Sequence, residues 1–316
     1  MSDGARSEKM AMITGKSQLV GLLGWPVSHS FSPAMHNAAA AALGLDLVYV
    51  PLPVHPDDLA TAVTALPALH FLGANVTIPH KETIIPHLDE LDPAARAIGA
   101  VNTVVVSQKS EVESQKLKVG SQQSSLVVGR SSLVGFNTDW SGFLADLEQL
   151  GVAVDGRDCL ILGAGGSARA VAYGLNRAGG RVSLVARRPL AAQQLAEQLQ
   201  ISAQIYAWDE LAQAVTEHPP LIINTTPLGM PPYTDQSPWP DGLPFPPDTF
   251  VYDLVYNPRQ TKLMRQAESA GRRTANGLGM LVQQGALAFK LWTGVMPDVQ
   301  VMREAIEGPY AKLALD

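Results

Sequence analysis

The chain is short of everything that would tie it to an oxidising, membranous or nucleic-acid setting. Its 316 residues contain one cysteine, Cys159, so no disulfide can form within the chain, and a reducing cytoplasm is the expected compartment. No apolar run approaches the ~20 residues that a bilayer-spanning helix requires. Residues 1–16 lack the apolar stretch of a secretory signal and read as a mobile tail. The net charge is −6 with no basic stripe, which argues against a nucleic-acid partner. The seven histidines show no metal-ligand spacing, and no Cys-x-x-Cys pair exists, so no metal site is expected. A Gly-x-Ser-x-Gly elbow is also missing, which removes the commonest serine-hydrolase signature.

What is present points to an α/β protein. The composition is 46% hydrophobic and 16% charged, which suits a filled globular core, and the length allows one large or two medium domains. From residue 158 onward short apolar runs alternate with helical segments. Strands are expected at Cys159 to Leu162, Arg181 to Ala186, Ala203 to Ala207, Leu221 to Asn224 and Thr249 to Val255, with a helix at Leu190 to Gln200. That alternation predicts a parallel sheet covered on both faces. The proline-rich run from Pro227 to Pro247 is expected to be a surface loop near the strand ends.

The stretch CLILGAGGSARA, from Cys159 to Ala170, organises this half. An apolar strand runs into Gly163, Gly165 and Gly166, and small residues then open a helix reaching Ala178. Gly163 permits a tight turn, Gly165 lets backbone approach a pyrophosphate, and Ala168 allows close helix–strand packing. The helix start offers free N–H groups to an anion. A glycine turn of this kind also occurs as plain αβ packing, but a second strand follows here at the expected distance.

The first half reads as a strand at Gln18 to Gly24, a helix at Pro33 to Leu43 and a strand at Asp46 to Pro51. A helix at Pro56 to Leu66, a strand at Gly73 to Thr77 and a helix from His80 to about Leu88 follow. A short helix starts at Asp92-Pro93, and strands lie at Val101 to Val106 and Leu133 to Phe136. Asn137-Thr138-Asp139 then opens a helix to Leu150. Residues 107–132 are rich in Ser, Gln and Lys, and read as an inserted loop, either disordered or a projecting hairpin. The final helices, Gly279 to Thr293 and Pro297 to Glu307, are expected to return to the first domain. Polar residues gather at the element ends: Ser30, Ser32, Asn75, Thr77, Lys81, Asn102 and Asp139. Read singly, Ser32 and Asp139 are helix N-caps, Lys81 is a solvated lysine and His36 is a helix-packing residue.

Taken together, six runs resemble the shikimate dehydrogenase family. They are GWPVSHSFSPAMHN at 24–37, GANVTIPHKE at 73–82, GAVNT at 99–103, GFNTDW at 135–140, GAGGSARA at 163–170 and NGLGMLVQQG at 276–285. The resemblance covers Gln18 to about Tyr310. It implies an N-terminal substrate-binding α/β domain and a Rossmann-like, doubly wound NADP domain. The units would be 17–138 with 279–316, and 139–278. It further implies reversible NADPH-dependent reduction of 3-dehydroshikimate to shikimate, in the biosynthesis of aromatic amino acids. Carried over residue by residue, Lys81 and Asp139 match the catalytic pair. Ser30, Ser32 and Tyr256 match the groups that hold the substrate carboxylate, and Thr77, Asn102, Asp139 and Gln284 match those that hold its ring hydroxyls. Gly163, Ala164, Gly165, Gly166, Ser167, Leu254 and Gly277 match the cofactor contacts. The family usually reads Asn-Arg-Thr after the second nucleotide-domain strand, whereas this chain reads Ala186-Arg187-Arg188, and Arg187 and Arg188 are expected to take the 2′-phosphate of NADP. The alternatives are an NAD-using quinate/shikimate dehydrogenase, for which an acid would be expected in place of those arginines, and a non-catalytic metabolite-binding regulator. The expected ligands are small molecules. The sequence leaves the oligomeric state open, a homodimer being one option.

Overall fold

The structure, a computed structural model, describes residues 13–107, 131–216 and 221–308. Most of the expected N-terminal tail and residues 108–130 of the inserted loop lie outside the described residues.

The first half builds a six-stranded mixed sheet. Its strands are β1 (Gln18–Gly24), β2 (Leu47–Pro53), β3 (Phe71–Val76), β4 (Glu90–Leu91), β5 (Thr103–Ser107) and β6 (Ser132–Phe136), in the order β2-β1-β3-β5-β6-β4. β1 pairs in parallel with both β2 and β3, joined by crossovers through α1 (Ser32–Ala42) and α2 (Leu59–Ala68). β5 is antiparallel to β3 and to β6. One face of the sheet packs Val20, Leu22 and Tyr49 against Met35 and Ala39 of α1. The same cluster takes in Val282, Phe289 and Trp292 of α10 (Leu278–Thr293) and Met302 and Ile306 of α11 (Val299–Glu307). The C-terminal helices therefore do return to the first half, as expected. The other face buries Val63 and Leu66 of α2 against Ala74 and Val76.

The second half holds β7 (Asp158–Leu162), α6 (Gly166–Arg177), β8 (Arg181–Ala186), α7 (Pro189–Leu199), β9 (Ala203–Ala207), α8 (Leu211–Thr216) and β10 (Leu221–Asn224). β11 (Phe250–Asp253), α9 (Lys262–Ser269) and β12 (Arg273–Asn276) complete it. All its strand pairs are parallel and the order is β12-β11-β10-β7-β8-β9, the doubly wound arrangement whose order reverses beside the first strand. Each face is covered. Ala168, Val171 and Leu175 of α6 with Leu195 of α7 pack on one, and Leu211 of α8 with Leu263 of α9 pack on the other. The short helix α4 (Pro93–Ile98) lies between β4 and β5, and α5 (Asp139–Gln149) links the halves, packing on α6 and on α10.

Four expectations need correction. The helix from His80 stops at Thr83 as α3 (His80–Thr83), followed by a tighter turn at Ile85–His87. Pro86 has no N–H to give to the Glu82 carbonyl, and its ring would clash there. Ser32 is not the cap of α1: Phe31 holds that position without a side-chain bond, and Ser32 donates its backbone N–H to Ser30 Oγ at 3.2 Å. Asp139 is not a cap either, because Thr138 takes the N-cap position and the Asp139 carboxylate is engaged elsewhere. The loop from Pro227 to Pro247 is not wholly surface. Trp239 and Phe245 stack at 4.3 Å and are buried beside Leu211, Val251 and Leu263. Elements absent from the sequence reading are the two-residue β4, the helices α8 and α9 and the polar edge strand β12.

Candidate functional site

The carboxyl ends of the central parallel strands of the two sheets, together with the start of the antiparallel β5, face a common cleft of about 190 Å³. Its first-half wall is made by Ser30, Ser32, Asn75, Thr77, Lys81, Asn102 and Asp139, and its second-half wall by Ser167, Leu254, Tyr256 and Gly277, with Gln284 from α10. Every residue expected at the substrate end thus faces one space. Of the cofactor residues, Ser167, Leu254 and Gly277 line it, whereas Gly163 to Gly166 lie at the adjoining turn and Arg187 and Arg188 beyond the end of β8.

The centre of the site is an ion pair. Lys81 Nζ donates to Asp139 Oδ2 at 2.7 Å. The lysine side chain is 24% exposed and the aspartate 11%, so the ammonium can meet a ligand while the carboxylate is largely enclosed. Asp139 Oδ1 accepts from Asn102 Nδ2 at 2.8 Å. The two hydrogens of this amide also serve Thr138 Oγ1 at 2.9 Å and Gln284 Oε1 at 3.2 Å, so one of them is shared between acceptors. Asn102 Oδ1 accepts the Thr138 backbone N–H at 2.8 Å and the Thr103 hydroxyl at 3.1 Å. Behind this layer Asn75 donates to the Asn102 carbonyl and to Thr103 Oγ1, and the Tyr49 hydroxyl donates to Asn75 Oδ1 at 2.8 Å. A buried network with its members satisfied is rigid, and rotation of any one amide would strand its neighbours. Burial raises the Tyr49 hydroxyl far above its ordinary range, so it stays a donor.

Tyr256 reaches the cleft from the loop after β11 and packs on Phe31 at 5.7 Å. Burial raises its phenol as well, which keeps it a donor suited to a carboxylate. His36, one turn after Ser32, is wholly buried and stacks on Tyr49 at 4.3 Å. Burial lowers its pKa to about 3, an effect that outweighs the opposing influence of Asn75, so the ring is neutral and packs, as read from the sequence.

The three key glycines of the second wall are glycines for different reasons. Gly163 has φ +116, and a Cβ there would stand 2.6 Å from Thr225 Oγ1, so the turn itself requires it. Gly165 has an ordinary φ of −91, and a Cβ would meet nothing within 4 Å. The fold does not demand a glycine at 165; the bare backbone instead leaves room for a ligand to approach the start of α6. That helix has no side-chain cap and no acid in its first turn, so its leading N–H groups are available to an anion. A Cβ on Gly277 would meet the Leu254 carbonyl at 2.1 Å, so this glycine docks α10 against the end of β11. Arg187 and Arg188 are exposed after β8 and neither forms an ion pair among the described residues. These features fit a phosphorylated dinucleotide.

Sequence reasoning missed two supports. Thr138 sits inside the Asn102 network. Beneath Leu254, the buried Asp253 accepts from Thr261 Oγ1 at 2.6 Å, from Asn224 Nδ2 at 2.8 Å and from the Val255 N–H at 3.0 Å. Burial pushes the Asp253 carboxyl up to about 6, against the lowering effect of those three donors. The available signal was the placement of Asn224 and Asp253 as polar residues closing the apolar runs LIIN and FVYD. No group of metal-ligating side chains and no helix long and apolar enough to cross a membrane occurs among the described residues.

Comparison with known proteins agrees with this geometry. A family model described as "Shikimate dehydrogenase substrate binding domain" matches residues 22–104, and one described as "Shikimate 5'-dehydrogenase C-terminal domain" matches 277–307. The chain is 46% identical over 299 residues to the shikimate dehydrogenase (NADP(+)) of Moorella thermoacetica, covering 93% of this chain and 94% of that protein. It is 42% identical to the protein of the same name from Carboxydothermus hydrogenoformans, over 93% of this chain and 98% of that one. The solved shikimate 5-dehydrogenase of Thermus thermophilus, in complex with NADP(H) and shikimate, shares 38% identity and a TM-score of 0.76, covering 94% of this chain and 99% of that one. With identity at this level along nearly its whole length, and the polar cleft and glycine turn in place, the chain belongs to the shikimate dehydrogenase family of NADP-dependent oxidoreductases.

Proposed function

We propose that this chain catalyses the reversible reduction of 3-dehydroshikimate to shikimate, with Lys81 delivering the proton. The supporting observation is the Lys81–Asp139 pair at 2.7 Å on the wall facing Ser167 and Leu254. Bound NADPH supplies the hydride. Reduction places negative charge on the ketone oxygen; an ammonium beside that oxygen stabilises the charge and hands over a proton, an effect of about 10²–10⁴-fold. The C=O group gains one hydride at carbon and one proton at oxygen, leaving a secondary alcohol. Asp139 holds the Lys81 ammonium in place, and Asn102 holds Asp139. The hydroxyls of Ser30, Ser32 and Tyr256 are assigned to the substrate carboxylate, and Thr77, Asn102, Asp139 and Gln284 to its ring hydroxyls. Gly163, Ala164, Gly165, Gly166 and Ser167 are assigned to the pyrophosphate, Leu254 and Gly277 to the nicotinamide end, and Arg187 and Arg188 to the 2′-phosphate.

The same reading divides the chain into a substrate-side unit, 17–138 with 279–316, and a cofactor-side unit, 139–278. Support comes from the two sheets and from the packing of Phe143 and Leu147 of α5 with the second sheet, whereas Val282 and Phe289 of α10 pack with the first. Absorbance at 340 nm with shikimate or quinate and with NADP⁺ or NAD⁺ tests the assignment. Turnover of shikimate with NADP⁺ well above the other three combinations supports it, and preference for quinate with NAD⁺ overturns it.

A further inference from the structure

Glu82 follows Lys81 in α3, and the cleft turns these neighbours to different tasks. Lys81 is taken by Asp139, whereas Glu82 is exposed and makes no ion pair among the described residues. Its carboxylate reaches across to the other wall: a Cβ built on Gly166 would stand 3.6 Å from Glu82 Oε1. Gly166 is the first residue of the 12-residue α6, which has neither an acid in its first turn nor a side-chain cap. The first half thus lends a negative charge to a helix start that lacks one of its own. Carboxylates are stabilised at such a position by the leading N–H groups and the aligned peptide dipoles. Phosphates are favoured there for the same reason, and two anions cannot share the place without mutual repulsion.

We propose that Glu82 is a standing negative charge beside the phosphate site: its carboxylate lies near the start of α6 without taking a hydrogen bond from it, and repels the incoming pyrophosphate, so that it weakens cofactor binding. The proposal rests on the reading that places the cofactor's pyrophosphate at Gly163 to Ser167. Because both nicotinamide dinucleotides carry that pyrophosphate, Glu82 acts on both alike, unlike Arg187 and Arg188, which concern the 2′-phosphate alone.

Dissociation constants for NADPH and NADH, measured by fluorescence titration on the full chain, test it in Glu82→Gln and Gly165→Val at low and high ionic strength. Glu82→Gln keeps the shape and removes the charge. It is expected to tighten both cofactors by a similar factor, about two- to tenfold at low salt, with the gain shrinking as salt screens the site. Unchanged or weaker binding in Glu82→Gln overturns the proposal, as does tightening of NADPH alone. Gly165→Val serves as the control, because a Cβ there meets no protein atom within 4 Å. If it weakens both cofactors while Glu82→Gln tightens neither, the phosphate placement stands and the role of Glu82 fails. If it weakens neither, the placement fails and takes the proposal with it.

Discussion

The two walls of the cleft are built on opposite principles. On the substrate side the polar groups are tied to each other: Lys81 to Asp139, Asp139 to Asn102, and Asn102 to Thr138 and Gln284. On the cofactor side the groups are left open. Gly165 faces empty space, the first turn of α6 has no cap, and Arg187 and Arg188 point into solvent. A small polyol needs its hydroxyl partners fixed in advance, because each misplaced donor lowers discrimination. A long, highly charged cofactor brings its own partners and needs an accessible track. Loss of a substrate-side residue should therefore damage catalysis as a unit, whereas loss of a cofactor-side residue should damage binding of one ligand group at a time.

The hardest test of that contrast is Lys81→Ala. Turnover is expected to fall about 10²–10⁴-fold with a modest change in the Michaelis constant for shikimate. Asp139→Asn should also be severe, and the double variant should lose much less than the product of the two single losses. Steady-state kinetics on the four proteins decides this; independent, multiplicative losses would show that the pair does not work as a unit.

On the other wall the effect should be smaller and confined to one cofactor. Arg187→Ala or Arg188→Ala removes a charge-assisted bond of ~1.5–3 kcal/mol, so NADPH should weaken by about ten- to a hundredfold while NADH stays nearly unchanged. Michaelis constants for both cofactors in each variant measure it. Equal weakening of both would assign the arginines to the fold.

Asp253 crosses the division, since it is as buried as anything on the substrate side yet lies beneath Leu254 on the cofactor side. Its carboxyl is raised to about 6, above an unfolded value of about 3.9, so the folded chain holds this proton more tightly than the unfolded chain does. The resulting stabilisation is complete below about pH 4 and is lost as pH rises through about 6. Asp253→Asn cannot titrate. Across that window the wild type should therefore lose stability relative to the variant, by roughly 2 kcal/mol. Urea unfolding of both proteins between pH 4 and 7 reads the difference, and a constant gap would remove Asp253 as the titrating group.

Legibility in the sequence followed the same divide between local and assembled features. Strands β1, β8, β9 and β10 were readable to the residue, and in β1, β8 and β10 a short apolar run is closed by glycine, arginine or asparagine. The edge strand β12, Arg273–Asn276, was not, because an edge need bury little and carries no apolar run. Within the site, the family motifs marked Lys81, Asn102 and Asp139, but not the fact that Asn102 bonds a residue 182 positions away in the chain. Ser32 and Asp139 read as caps because a cap is the commonest local use of those residues ahead of a helix. Their engagement in the cleft comes from tertiary neighbours that no local window contains.

The smallest effect expected is from the most conspicuous oddity in the sequence. Replacing residues 108–130 by a short turn should leave turnover and both Michaelis constants nearly unchanged. The reason is the direction of the hairpin. β5 starts beside Asn102 and ends at Ser107, β6 starts at Ser132 and runs back to Phe136, and Ser107 pairs with Ser132 at the far end of the ladder. At ~3.3 Å per residue the insertion begins roughly 15 Å from the Asn102–Asp139 contact. The two ends are already neighbours, so a tight connection closes the ladder without moving either strand, and shortening the loop lowers the entropic cost of closure. The network that holds Asn102 is anchored instead by Thr138, Gln284 and Asn75, none of which lies on the insertion. A tenfold loss of activity in the shortened chain would show that residues 108–130 fold back to the cleft or meet a second subunit. The substrate wall would then not be the self-contained unit that its hydrogen bonds describe.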